Sequence, residues 1–175
     1  LLCFVLWPMS LHADLNFNYG SGVAAKTDYA ERSLITSMEK VGDRIYAVGV
    51  HGIVIFSDDN GDTWTQADYV PYQNTITDIS CTSEKMCWVT GHDATILHSD
   101  DGGLNWVKQY DDYDFDAPLL SIHMYDDKDG IAIGAFALSL RTSNGGDSWD
   151  YLFLDDDDYQ PHLNYVYGDN QAWRK

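Results

Sequence analysis

The sequence predicts an all-β fold, a β-propeller of four-stranded antiparallel blades. Three observations carry this. An eight-residue motif recurs as Ser57-Asp58-Asp59-Asn60-Gly61-Asp62-Thr63-Trp64, Ser99-Asp100-Asp101-Gly102-Gly103-Leu104-Asn105-Trp106 and Thr142-Ser143-Asn144-Gly145-Gly146-Asp147-Ser148-Trp149. Its tryptophans lie 42 and 43 residues apart, a period that belongs to modular repeats. Upstream of each motif an apolar run ends in a glycine (Gly49, Gly91, Gly134) at the same spacing. No segment sustains a helical period.

Each unit contains four short runs with turn signals between them. The first runs are residues 34–38, 75–80 and 120–125, and the second are the glycine runs 45–49, 87–91 and 131–134. The third are 53–56, 95–98 and 138–141, and the fourth begin at Trp64, Trp106 and Trp149. Four strands in a unit of about 40–45 residues describe a propeller blade. The expected organisation is a lead-in at 14–32 and a partial propeller over 33–175, with blades at about 33–70, 74–112, 118–155 and 162–175. The last begins a fourth blade, because residues 168–175 match the run at 42–49. The expected whole is a seven-bladed propeller.

The recurrent motif reads as the turn between the third and fourth strands. Asp59, Asp101 and Asn144 are expected to accept hydrogen bonds from amides two residues on. Gly61, Gly103 and Gly146 can take positive φ, and Ser57, Ser99 and Thr142 add a hydroxyl cap. Trp64, Trp106 and Trp149 then bury a large ring at the blade edge. These conspicuous residues build a scaffold and need no chemistry.

Residues 1–13 carry no Asp, Glu, Lys or Arg. They read as the apolar core and end of a truncated secretory signal closing at Ala13, with a short membrane anchor as the alternative. The rest of the chain is not expected to span a membrane. Cys81 and Cys87 flank the turn between the first two strands of the second blade, which in an exported protein reads as a disulfide; two free thiols are the alternative. The formal charge of −18 excludes nucleic acid and anionic membrane surfaces as partners.

Propeller geometry sends the inter-blade loops and the turns between second and third strands to one face, and the recurrent motif to the other. That first face gathers Tyr69 and Tyr72, then Asp111, Asp112, Tyr113, Asp114, Phe115 and Asp116, then Asp155, Asp156, Asp157, Asp158 and Tyr159. The turns add His51 and His92, taken as equivalent repeat positions, with Asp93 and Phe136. Aromatic side chains on exposed loops are what interfaces use as anchors, so this crown is the expected binding face. No cofactor is expected. Calcium on residues 155–158 is the alternative to a solvated run, and a metal at His51 and His92 is the alternative to ordinary turn residues.

The repeated motif resembles the Asp-box, or BNR, repeat. The glycine strand before it resembles the repeat of the Ycf48/Hcf136-like propellers, named for a photosystem II assembly factor. The resemblance spans residues 33 to 175 and implies an exported, non-catalytic scaffold, lumenal or periplasmic, that binds a protein client while a membrane complex is assembled. In photosynthetic members that complex is photosystem II. This chain is acidic and poor in arginine where those factors carry a basic patch, so another membrane complex is the expected client. The Asp-box also occurs in glycoside hydrolases, and a sialidase- or xyloglucanase-like enzyme with its catalytic residues in further blades is the alternative. A sialidase site needs converging arginines, whereas Arg32, Arg44, Arg141 and Arg174 are dispersed. No nucleophile motif, phosphate loop or metalloprotease motif is present.

Overall fold

The computed structural model describes residues 22–113 and 117–152. A 3-10 turn, Ala30–Arg32, precedes the strands. The first blade is β1 (Ile35–Val41), β2 (Arg44–Gly49), β3 (Val54–Ser57) and β4 (Thr65–Gln66). The second is β5 (Ile76–Cys81), β6 (Cys87–Gly91), β7 (Ile96–Ser99) and β8 (Val107–Tyr110). The third is β9 (Leu119–Met124), β10 (Gly130–Gly134), β11 (Ser139–Thr142) and β12 (Asp150–Tyr151). Each is a four-stranded antiparallel sheet in sequence order. Residues 1–13, expected as a signal, and 162–175, expected as a fourth blade, lie outside the described residues.

The blades stack face to face, and apolar side chains fill the two seams. Between the first and second blades lie Val48, Val54, Phe56, Ile76, Ile79, Val89, Leu97 and Trp106. Between the second and third lie Trp88, Ile96, Leu119, Ile122, Leu138, Leu140 and Trp149. Burying a side chain of this size stabilises by about 1.5–3 kcal/mol, so the seams dominate the fold's energetics.

The first strands β1, β5 and β9 neighbour one another without pairing as a ladder. Side chains fasten them instead. Thr36 donates to the Ile76 carbonyl at 2.6 Å, and Thr77, at the same repeat position, donates to the Leu119 carbonyl at 2.6 Å. Asp78 accepts from Ser37 of the first blade, and from Ser121 and the Ile122 amide of the third, all within 3.0 Å. One carboxylate thus fastens three blades. Glu39 accepts from the Cys81 amide at 2.7 Å, and burial pushes its carboxyl up against the pull of that bond.

All three Asp-boxes form, with one correction to the expected bonding. The acceptor oxygen, a carboxylate in the first two boxes and an amide in the third, reaches four residues on, not two. Asp59 Oδ1 accepts from the Thr63 amide at 2.8 Å, Asp101 Oδ1 from the Asn105 amide at 2.9 Å, and Asn144 Oδ1 from the Ser148 amide at 3.0 Å. The intervening amide of Gly61, Gly103 or Gly146 is taken by the buried hydroxyl of Ser57, Ser99 or Thr142, at 2.8–3.0 Å. The hydroxyl fills the inside of the turn, and the carboxylate closes it from outside. The Thr63 hydroxyl, the Thr63 amide and the Ser57 hydroxyl hold Asp59 down at about 2. Burial pushes Asp101 up, but the Asn105 and Ser99 bonds prevail and hold it low. Asn144 gives the same geometry without a charge. The tryptophans follow the pattern less evenly. Trp64 and Trp106 donate Nε1 to the carbonyls of Gly61 and Gly103 at 3.1 and 3.0 Å, whereas buried Trp149 Nε1 has no partner among the described residues.

Cys81 and Cys87 are disulfide-bonded and directly opposite in the β5–β6 register. The bond closes the turn that carries Glu84. That turn accepts from Tyr46 Oη at the Glu84 carbonyl (2.7 Å) and from the Asp43 amide at the Glu84 carboxylate (2.8 Å). The disulfide therefore stiffens the point where the second blade grips the first.

Candidate binding face

The β2–β3, β6–β7 and β10–β11 turns meet the inter-blade linkers at one end of the blades. Gly52 donates its amide to Asn74, Ala94 to Ala117 and Ala135 to Pro118, at 2.8, 2.8 and 3.0 Å. The Asp-boxes lie at the other end with the β5–β6 and β9–β10 turns, to which Gly102 and Gly145 donate their amides at Lys85 and Lys128.

The three turns share one geometry. Their central residues are His51-Gly52, Asp93-Ala94 and Phe136-Ala137, all with φ between 49° and 70°. The residue after each pair donates its amide to the carbonyl of the residue before it, at 3.0–3.1 Å. This is the two-residue type I′ turn. It corrects the expected histidine equivalence. His51 matches Asp93 and Phe136, whereas His92 lies one place earlier, with Val50 and Ala135. The two imidazoles do not share a repeat position, and no three His, Cys, Asp or Glu side chains converge as metal ligands among the described residues.

The structure divides the expected crown. Tyr72 is fully buried, a correction. Its ring lies in the first seam and its hydroxyl donates to the His92 carbonyl at 3.0 Å, beneath the turn rather than on it. Burial, with Asp93 nearby, pushes the Tyr72 phenol up. Tyr69 is exposed but sits on the outer rim, bridged to Asn105, and its carbonyl accepts from the Trp106 amide at 2.9 Å. It belongs to the seam beside the second Asp-box.

Asp111, Asp112 and Tyr113 do gather near the second turn. Lys108 Nζ lies 2.8 Å from Asp111 Oδ2 and donates to the Tyr113 hydroxyl at 2.7 Å. Burial pushes the Lys108 ammonium down, but Asp111 and Tyr113 hold it above its ordinary value. The Asp112 amide donates to the Asp93 carbonyl at 3.1 Å, and its carboxylate accepts from the Tyr151 hydroxyl at 3.1 Å. Asp93 itself accepts from Asn74 Nδ2 at 2.8 Å. Exposed His51, His92 and Phe136 complete the face. Asp114, Phe115, Asp116, Asp155, Asp156, Asp157, Asp158 and Tyr159 lie outside the described residues. Lys108 and Asn74 were missed in the sequence: the linker after β8 brings Asp111 and Tyr113 to Lys108, and the linker before β5 brings Asn74 to Asp93 of the β6–β7 turn.

The described arginines make structural contacts. Arg44 forms a two-bond pair with Asp58 at 2.7 and 2.8 Å, donates to the Gly102 carbonyl at 2.8 Å and lies over Phe56. Arg141 pairs with Asp129 at 3.3 Å, and Arg32 lies over Tyr29. Among the described residues these three do not converge on one pocket, and Arg174 lies outside the described residues.

Fold and turns together define the class of protein, a β-propeller whose blades are closed by Asp-boxes and whose other end presents shaped turns. The sequence profile of the family described as photosynthesis system II assembly factor YCF48 matches residues 65–159. That span is more than half of the chain, and the protein belongs to this family. Among solved structures, one described as YCF48 bound to D1 peptide is similar at 21% identity and a TM-score of 0.61, over 68% of this chain and 40% of its own. YCF48 from Cyanidioschyzon merolae is similar at 20% identity and a TM-score of 0.57, over 72% and 42%. An ancestral GH74 enzyme aligns at 16% identity and a TM-score of 0.59, over 79% and 19%. The GH74 xyloglucanase from Xanthomonas campestris aligns at 14% and 0.56, over 70% and 24%. The chain thus spans about two fifths of the YCF48 structures it matches. At these identities the structural likeness shows the fold. No curated protein matches the chain.

Proposed function

We propose that this chain belongs to an exported, non-catalytic propeller that holds a protein segment of a membrane complex during assembly. The family match over residues 65–159 carries the reading. A relative solved with a bound D1 peptide supports a polypeptide client. The disulfide and the apolar residues 1–13 support a periplasmic, extracellular or lumenal location. The client of an acidic, arginine-poor chain is a membrane complex other than photosystem II, and the crown face is where it binds.

The test is affinity capture with the complete mature protein from solubilised envelope membranes of its source. A control carries Tyr113, Phe115 and Tyr159 replaced together by alanine. Recovery of a membrane complex that the control loses supports the proposal. Equal recovery by both refutes the crown as its site. The likeness to GH74 enzymes favours one second reading, glycoside hydrolysis with catalytic carboxylates in further blades. Release of oligosaccharides from xyloglucan by the complete protein, with no captured partner, would establish it instead.

A further inference from the structure

The β2–β3 and β6–β7 ladders each send a pair of rings into a seam at the same repeat positions. Tyr46 stands opposite Phe56, and Trp88 stands opposite His98. Phe56 is an apolar member of the first seam. In the second seam an imidazole takes its place, stacked on Trp88 with ring centroids 4.5 Å apart. Trp88 is itself tied down, donating Nε1 to Gln109 Oε1 at 3.1 Å and to the Gly145 carbonyl at 3.3 Å. His98 Nε2 is buried and has no hydrogen-bond partner among the described residues. A buried polar atom left unpaired is destabilising, so stability alone would favour a second phenylalanine here. Such an exception calls for a role.

The charged groups around the ring are Asp100 of the second Asp-box, Asp127 of the β9–β10 turn and Asp147 of the third Asp-box. None of them bonds Nε2. Of the cations on neighbouring elements, Lys108 is turned to Asp111 and Tyr113, and Lys128 is exposed. The three carboxylates pull toward the charged form, but burial outweighs them and holds the imidazole below its ordinary value of 6.5. A proton on His98 adds a charge to the second seam with no bonded partner. Opening the Asp-box end of that seam relieves it, by admitting water or by bringing Asp127 or Asp147 to the ring. We propose that His98 is an acid-sensing latch between the second and third blades, closed while the imidazole is neutral and released by its protonation. Because the folded-state value is depressed, the unfolded chain takes up the proton first. The stabilisation is present above 6.5 and is lost as pH falls below it. The first seam, with Phe56 in this place, has no such step. The latch stands apart from the client-binding role.

The test compares the complete mature protein with its H98F and H98Q variants. H98F copies the first seam, and H98Q keeps a polar side chain that does not ionise, so either one that folds serves as the control. Between about pH 8 and 5 the parent's melting temperature is expected to fall by at least about 2 °C more than the control's. Amide hydrogen exchange at the lower pH locates the effect. Peptides over residues 125–129 and 142–149 should exchange faster in the parent than in the control, while residues 44–57 on the first seam exchange equally. The ring titration of His98 in the parent, followed by NMR, is independent of either variant, and its midpoint is expected below 6.5. A midpoint at or above 6.5 overturns the proposal. So do parallel melting curves against pH in parent and control. Faster exchange in both seams alike also overturns it, because the acid loss would then be global and His98 no latch.

Discussion

Two glycines at the same place in two Asp-boxes separate backbone strain from packing between blades. Gly61 and Gly103 both have positive φ, 97° and 83°. A methyl group on Gly61 would meet nothing closer than Trp64 Cζ2 at 3.7 Å, an ordinary contact. A methyl group on Gly103 would stand 2.7 Å from Cε1 of Tyr46. That ring cannot easily yield, because it is fully buried and its hydroxyl is tied to the Glu84 carbonyl at 2.7 Å. Gly61→Ala should therefore cost only the left-handed penalty, about 1–2 kcal/mol. Gly103→Ala should add overpacking of roughly 1–3 kcal/mol, for a total of about 2–5 kcal/mol. Urea unfolding of the two variants beside the parent reads the difference directly. Equal losses would refute the reasoning, since the shared backbone penalty would then explain both and the Tyr46 seam would contribute nothing.

Four further outcomes are expected. Asp101→Asn should be tolerated at neutral pH, because Asn144 closes its box with an amide, whereas Asp101→Ala should lose about 1 kcal/mol in a melting experiment. Asp59 and Asp101 are held below their ordinary value of 3.8, so their stabilisation is present above that pH. It should be lost as pH falls toward 2, and a double Asn variant should flatten melting temperature against pH in that window. Replacing Cys81 and Cys87 by alanine opens a loop with a sequence separation of six, and should lower stability by about 2 kcal/mol by chain entropy; denaturation of oxidised against reduced parent protein should show the same shift. Tyr72→Ala should cost about 3–5 kcal/mol, as a buried aromatic does, and Tyr72→Phe about 1 kcal/mol for the bond to His92; a crown role for Tyr72 would instead leave stability unchanged and abolish client capture.

The sequence by itself determined the blade. The Asp-box needs a hydroxyl, an acceptor side chain, a glycine and a tryptophan within eight residues, so its chemistry is local and legible. The alternating runs around it fixed the strands for the same reason, and the cysteine pair read correctly because it faces itself across one hairpin. The crown was less legible, because which linker residues point outward depends on the neighbouring blade. Tyr69 and Tyr72 are three residues apart in the same loop. The second Asp-box draws one to the rim, and the first seam swallows the other. The register of the turns was legible too, because two residues beyond the repeating Gly49, Gly91 and Gly134 stand His51, Asp93 and Phe136, with His92 one place earlier. Tertiary structure also decided the latches. Asp78 looks like any strand carboxylate in the sequence, yet it fastens three blades because β1, β5 and β9 converge around it. Local hydrogen bonding is written in adjacent residues, while contacts between blades depend on how neighbouring sheets stack and appear only when they pack.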